Sequence, residues 1–162
     1  PPRLFIEAKL MEQEFGSCSV FTGGDCDGRN PARAHEDCYL HAIGRQYWPR
    51  FERHGLLKGE LLRSPICLLA NYYQYFREVL FALEKGGHLA ILVDARNPVF
   101  RREGDGGTRG LIPFLARFLP DHFRTRVTIL TIQQVLLAIE QSGGHGDWTG
   151  TFRQKYGIAF RA

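Results

Sequence analysis

What the sequence lacks narrows its roles first. No apolar run in its 162 residues approaches the roughly 18–20 positions of a membrane-spanning helix, so no membrane partner is expected. The opening Pro1-Pro2-Arg3 leads into a strand-like pattern within two residues. That is not the layout of a signal peptide, and a cytoplasmic address is the default expectation. Internal repeats and low-complexity tracts are absent, which excludes solenoids and linkers. The six histidines show neither H-x-x-x-H nor H-E-x-x-H spacing, so no zinc-protease motif is present. Gly104-Asp105-Gly106-Gly107 lacks the Lys-Ser/Thr of a phosphate loop and reads as a flexible turn.

What is there describes a folding chain. Hydrophobic residues at 44% and charged residues at 23% are near the averages for globular proteins, and the length suits one domain over residues 1–162. A net charge of +4 and an isoelectric point near 9.1 favour contact with a polyanion. The basic residues are scattered, with pairs or near-pairs at Arg101-Arg102 and Arg124/Arg126, so an ordinary solvated surface explains them too. Charge supports a nucleic-acid role but does not carry it.

The first element is the clearest. Over residues 4–12, side chains alternate between two faces because a strand has a period of two. Leu4, Ile6, Ala8 and Leu10 form an apolar face expected to be buried, with Ala8 toward the core. Phe5, Glu7, Lys9 and Met11 share the other. Residues 13–34 then dissolve into Gly, Ser, Asp, Asn and Pro, a long polar loop of the kind that usually binds something. A helix is predicted over 35–48, interrupted by Pro49. Ser64-Pro65 predicts the start of another, carrying the stripe Ile66, Leu69, Tyr73, Phe76, Leu80 and Leu83 and closed by Gly86-Gly87. A strand buried on both faces is predicted at 88–93, and a loop at 94–108. A helix over 111–119 stopped by Pro120, a strand over 126–130 and a helix over 132–141 ended by Gly143-Gly144 complete the core. Trp148, Phe152 and Tyr156 suggest a short terminal helix. Strands separated by helices imply an α/β fold with a mixed or parallel sheet.

Glu7 and Lys9 are the residues that carry chemistry. Phosphodiester hydrolysis needs a positioned water, a divalent cation to neutralise the oxyanion, and help in deprotonating the nucleophile. A carboxylate suits Mg²⁺, and a lysine beside it can orient the attacking water. Two such groups on one face of one strand have a fixed mutual geometry. A surface Glu–Lys pair on an edge strand is the ordinary alternative.

In its motifs the chain resembles the PD-(D/E)XK, or restriction-endonuclease-like, nuclease superfamily, and within it a bacterial family. The matching segments are Phe5-Ile6-Glu7-Ala8-Lys9-Leu10, Gly16-Ser17-Cys18-Ser19, Gly44-Arg45-Gln46-Tyr47-Trp48, Tyr73-Gln74-Tyr75-Phe76-Arg77 and Asp94-Ala95-Arg96-Asn97-Pro98. The resemblance implies a restriction-endonuclease-like core, a mixed central sheet flanked by helices. It implies a divalent-metal-dependent deoxyribonuclease, endo or exo, acting on DNA with Mg²⁺ or Mn²⁺. Glu7 and the Ala8 carbonyl would hold the metal, Lys9 would position the water, and Gln74 would support the site. The superfamily's Asp at the end of a strand before Glu-x-Lys has no counterpart among the four residues ahead of Phe5. The expectation is therefore a domain incomplete at its N-terminus, an enzyme that need not be active as given; the alternative is a degenerate, non-catalytic fold that binds DNA or scaffolds a partner.

Four cysteines remain, Cys18, Cys26, Cys38 and Cys67. Four thiolates could hold Zn²⁺ or an iron–sulfur cluster, but the absence of a C-x₂-C pair favours free thiols. The sequence is silent on oligomeric state.

Overall fold

The computed structural model describes residues 3–104, 107–143 and 146–159. Asp105 and Gly106 of the glycine-rich turn, and Gly144 after the penultimate helix, lie outside them. The order is β1 (Leu4–Lys9), α1 (Ser19–Thr22), a 3-10 turn (His35–Asp37), α2 (Tyr39–Ala42), α3 (Tyr47–Arg53), α4 (Gly59–Arg63) and α5 (Leu68–Glu84). There follow β2 (His88–Val93), α6 (Leu111–Ala116), α7 (Asp121–Arg124), β3 (Val127–Thr131), α8 (Ile132–Gln141) and α9 (Gly146–Tyr156). No helix among the described residues is long and apolar enough to cross a membrane.

The three strands form one sheet in the order β1-β2-β3, and both pairings are parallel. Among the described residues the sheet is thus parallel rather than mixed. Parallel neighbours cannot be joined by a hairpin, so each pair is separated by a crossover carrying helices. Glu7 stands opposite Ile91, and Lys9 opposite Val93. The central strand β2 buries Leu89, Ala90, Ile91 and Val93, as its unbroken apolar run requires.

The burial of β1 is the reverse of the sequence expectation. Leu4 and Ile6 are 56% and 59% exposed and Ala8 is exposed, while Phe5 and Glu7 are half-buried and Lys9 is 5% exposed. Helix α5 packs against the Phe5-Glu7-Lys9 face, where Phe5 meets Phe81 edge to face at 4.9 Å. Alternation fixes which residues share a face. Which face is covered depends on where the crossover helix docks, and α5 docks on the charged one.

The segment feeding that helix also departs from expectation. Residues 35–48 make a 3-10 turn and two short helices rather than one long helix, because Gly44 turns at φ +85° between them. Pro49 lies in the first turn of α3, where its missing N–H costs nothing. Helix α5 begins at Leu68, with Cys67 rather than Ser64 at its N-cap. The 13–34 loop holds one helical turn and is tied down: Asn30 donates from Nδ2 to the carbonyls of Leu61 and Ser64, both at 2.8 Å.

Within α5, Tyr72 leaves helical geometry (φ −132°, ψ 39°). The kink frees the next two N–H groups. Tyr73 donates to the Gly16 carbonyl at 2.9 Å and Gln74 to that of Phe15 at 3.0 Å. Cys18 donates to the Ala70 carbonyl at 2.9 Å just before the kink. The loop following β1 is therefore laid across the helix that faces β1.

Candidate active site

Lys9 and Glu7 project from β1 toward α5, and Gln74 projects from α5 between them. The Lys9 ammonium donates to Gln74 Oε1 at 2.6 Å and lies 3.8 Å from Glu7 Oε1. The amide Nε2 of Gln74 donates in turn to Glu7 Oε1. One glutamine thus accepts from the cation and donates to the anion, which fixes both side chains. Phe15 floors the site, with Lys9 Nζ 5.8 Å from its ring centroid. Gly16 turns the loop beside Gln74: at φ +63° it stands in the left-handed region that favours glycine.

Burial raises the Glu7 pKa above the usual carboxylate value, and the charge of Glu78 adds to the shift, while Lys9 and Arg77 oppose it. Glu78 is the residue that sequence reading missed. It sits one helical turn past Gln74, on the same side of α5, and the i, i+4 spacing was the available signal. Arg77 Nη2 holds its carboxylate at 2.8 Å. Glu12, past the end of β1, is exposed, and its own backbone's hydrogen bonding lowers its pKa.

The Ala8 carbonyl is free of the sheet ladder. Arg3 O accepts from His88 N at 2.8 Å, so odd residues of β1 direct their backbone groups to β2. The carbonyls of Leu4, Ile6 and Ala8 then face the open edge. Carboxylates and carbonyls are the donors a hard Mg²⁺ or Mn²⁺ ion takes, so Glu7, Glu78 and Ala8 fit such an ion in kind. Among the described residues, no three acidic, histidine or cysteine side chains stand close enough together to enclose a metal ion.

The other motifs fall into place around this centre. Tyr47 and Tyr73 share a 2.6 Å hydroxyl–hydroxyl hydrogen bond, joining the 44–48 and 73–77 segments. Asp94 ends β2 in a structural network, paired with Arg96 at 2.6 Å and accepting from Gln133 Nε2 at 2.9 Å. Arg96 also donates to the carbonyls of Tyr156 and Gly157, both at 3.1 Å. These bonds hold the Asp94 carboxyl at about 2, well below its usual range.

The four cysteines, far apart in sequence, all line one cavity of about 380 Å³, separate from the Glu7 site. All are free thiols. Burial, and then the neighbouring thiols of Cys38 and Cys26, push the Cys67 thiol up to about 11.

Over residues 3–157 the chain matches the family described as Restriction Endonuclease associating with ARP, and it belongs to that family. No curated protein and no solved structure matches it.

Proposed function

We propose, with membership of that restriction-endonuclease family as the premise, that this chain is a divalent-metal-dependent deoxyribonuclease of the PD-(D/E)XK type. Its substrate is DNA and its reaction phosphodiester hydrolysis. The observation that carries the reading is the buried ammonium of Lys9, held 2.6 Å from Gln74 and 3.8 Å from Glu7. Taking an ammonium out of water costs several kcal/mol unless it is well paired. An apolar side chain would fill that space at lower cost, so the position of Lys9 speaks for chemistry rather than for packing.

In this reading ionised Glu7 and the Ala8 carbonyl hold Mg²⁺ or Mn²⁺, with Glu78 adding a second negative charge nearby. When bound, the ion supplies charge stabilisation at the phosphate and lowers the pKa of a water. Lys9 has three N–H donors, and Gln74 uses one. The others can orient the attacking water and offset charge on the phosphate. Gln74 keeps Glu7 and Lys9 in register through both ends of its amide. The superfamily pattern adds an Asp from a strand beside β1, whose outer edge is unpaired among the described residues.

The test is cleavage of plasmid and linear DNA by the full-length protein with Mg²⁺ or Mn²⁺. Glu7→Ala or Lys9→Ala should abolish metal-dependent cleavage while the circular dichroism spectrum stays that of the wild type. Undiminished cleavage by either variant rejects the assignment.

A further inference from the structure

We propose that Cys18, Cys26, Cys38 and Cys67 ligate an iron–sulfur cluster in the cavity they surround, and that the cluster clamps the loop after β1 onto α5. The first support is convergence. Seventeen residues line the cavity, about a tenth of the chain, yet all four of the chain's cysteines are among them. They come from four separate places: Cys18 before α1, Cys26 in the loop, Cys38 before α2 and Cys67 at the N-cap of α5. Cysteine buried only as a small hydrophobe has no reason to gather in this way.

The second support is the size of the space between them. A zinc ion draws four sulfurs to about 2.3 Å from one point. Here the thiols form no disulfide, and among the described residues no three acidic, histidine or cysteine side chains are grouped closely enough for a single ion. All four line a cavity of about 380 Å³ instead. Four cysteine thiolates set around a larger body match a cubane of iron and inorganic sulfide. Each thiol would give up its proton as its sulfur bonds to an iron.

The walls suit the same occupant. The backbone N–H of Gly28 donates to Cys26 Sγ at 3.4 Å, the kind of N–H···S contact that stabilises a bound thiolate. Trp48 lines the cavity and is 1% exposed, and its indole Nε1–H has no acceptor. An orphaned buried donor is uncommon in a native protein, and cluster sulfur would provide the missing acceptor. Val20, Phe21, Leu40 and Leu69 supply the apolar part of a lining that also carries Asp25, Asp27, Asp37 and Arg29.

The location gives the clamp its consequence. Cys18 follows closely on Phe15 and Gly16, whose carbonyls hold the N–H groups of Gln74 and Tyr73 at the kink of α5. A cluster bonded to Cys18 and Cys67 would pin both sides of that junction. It would steady Gln74 without touching it.

The test is anaerobic purification of the full-length protein, followed by reconstitution with ferrous iron and sulfide. Expected are about four irons and four acid-labile sulfides per chain and a broad visible absorption. Cys26→Ala, a half-buried loop position, should lose most of both while Lys9 and Gln74 are unchanged. Zinc in place of iron and sulfide overturns the cluster. A folded wild type that takes up neither on reconstitution overturns the site, whatever the variant does. Iron and sulfide counts are read without any cleavage assay, so failure here is distinct from failure of the nuclease reading.

Discussion

Replacing Lys9 with methionine separates a catalytic ammonium from a structural one. Lys9 is 5% exposed, and its Nζ donates at 2.6 Å to Gln74 Oε1 beside Glu7. Methionine keeps most of the side-chain length, so no sizeable cavity opens. The charge-assisted hydrogen bond that is lost is worth about 1.5–3 kcal/mol, and Gln74 Oε1 is left without that donor. Against this, an ammonium no longer has to be kept out of water, a relief of several kcal/mol. The terms nearly cancel, and the net change in stability should stay within about 2 kcal/mol of either sign. For a chain of this length that is a shift in Tm of no more than about 4–8 °C. Metal-dependent cleavage, in contrast, should fall by about a hundred- to a thousand-fold, the usual effect of removing one preorganised donor to a developing charge. The assays are a thermal melt and single-turnover cleavage of plasmid DNA by the full-length protein. Cleavage within about tenfold of wild type refutes the reasoning. So does global unfolding that accounts for the lost activity.

Further outcomes follow from the local geometry of Glu7, Asp94 and Gly110. Burial and Glu78 hold the Glu7 carboxyl above its usual range, so it ionises late as pH rises. Mn²⁺ binding should therefore fall away on the acid side at a higher pH than for an ordinary glutamate, and Glu78→Gln should move that limb to lower pH; calorimetric titration across pH reads both. Because the folded form raises this pKa, ionised Glu7 costs stability above it, and Glu7→Gln should melt no lower than wild type at neutral pH while losing cleavage. Asp94 behaves in the opposite sense: its pKa is lowered from about 3.8 to about 2, so its stabilisation is complete above the higher value and lost as pH falls through the lower. Allowing for a half-exposed Arg96, Asp94→Asn should cost about 1–2 kcal/mol at neutral pH in urea unfolding, with the deficit shrinking below pH 4. Gly110→Ala should cost at least about 2 kcal/mol, since the residue has φ +119° and a Cβ there would meet the Phe100 carbonyl oxygen at 2.6 Å; an unchanged melt contradicts the local geometry.

Local sequence determined a good deal. A period of two put Glu7 and Lys9 on one face of β1, and the structure keeps them together. The run His88–Val93 is β2, and Ile132–Gln141 is α8, opened by a capping box between Thr131 and Gln134. Gln74 was legible through its motif. Each of these depends on spacing along a few residues, which the chain carries wherever it goes.

The remainder is non-local. Leu4, Ile6 and Ala8 read as the buried face of β1 because they are apolar, yet α5 covers the opposite face, and nothing within the strand encodes which side a helix sixty residues away will take. The break at Tyr72 shows itself only where the carbonyls of Phe15 and Gly16 replace helical hydrogen bonds. Glu78 gains meaning from its nearness to Glu7, and the four cysteines from a shared cavity that their spacing does not announce. Sequence sets the period of each element; the packing of one element on another, driven by burial summed over the whole chain, decides which side chains meet.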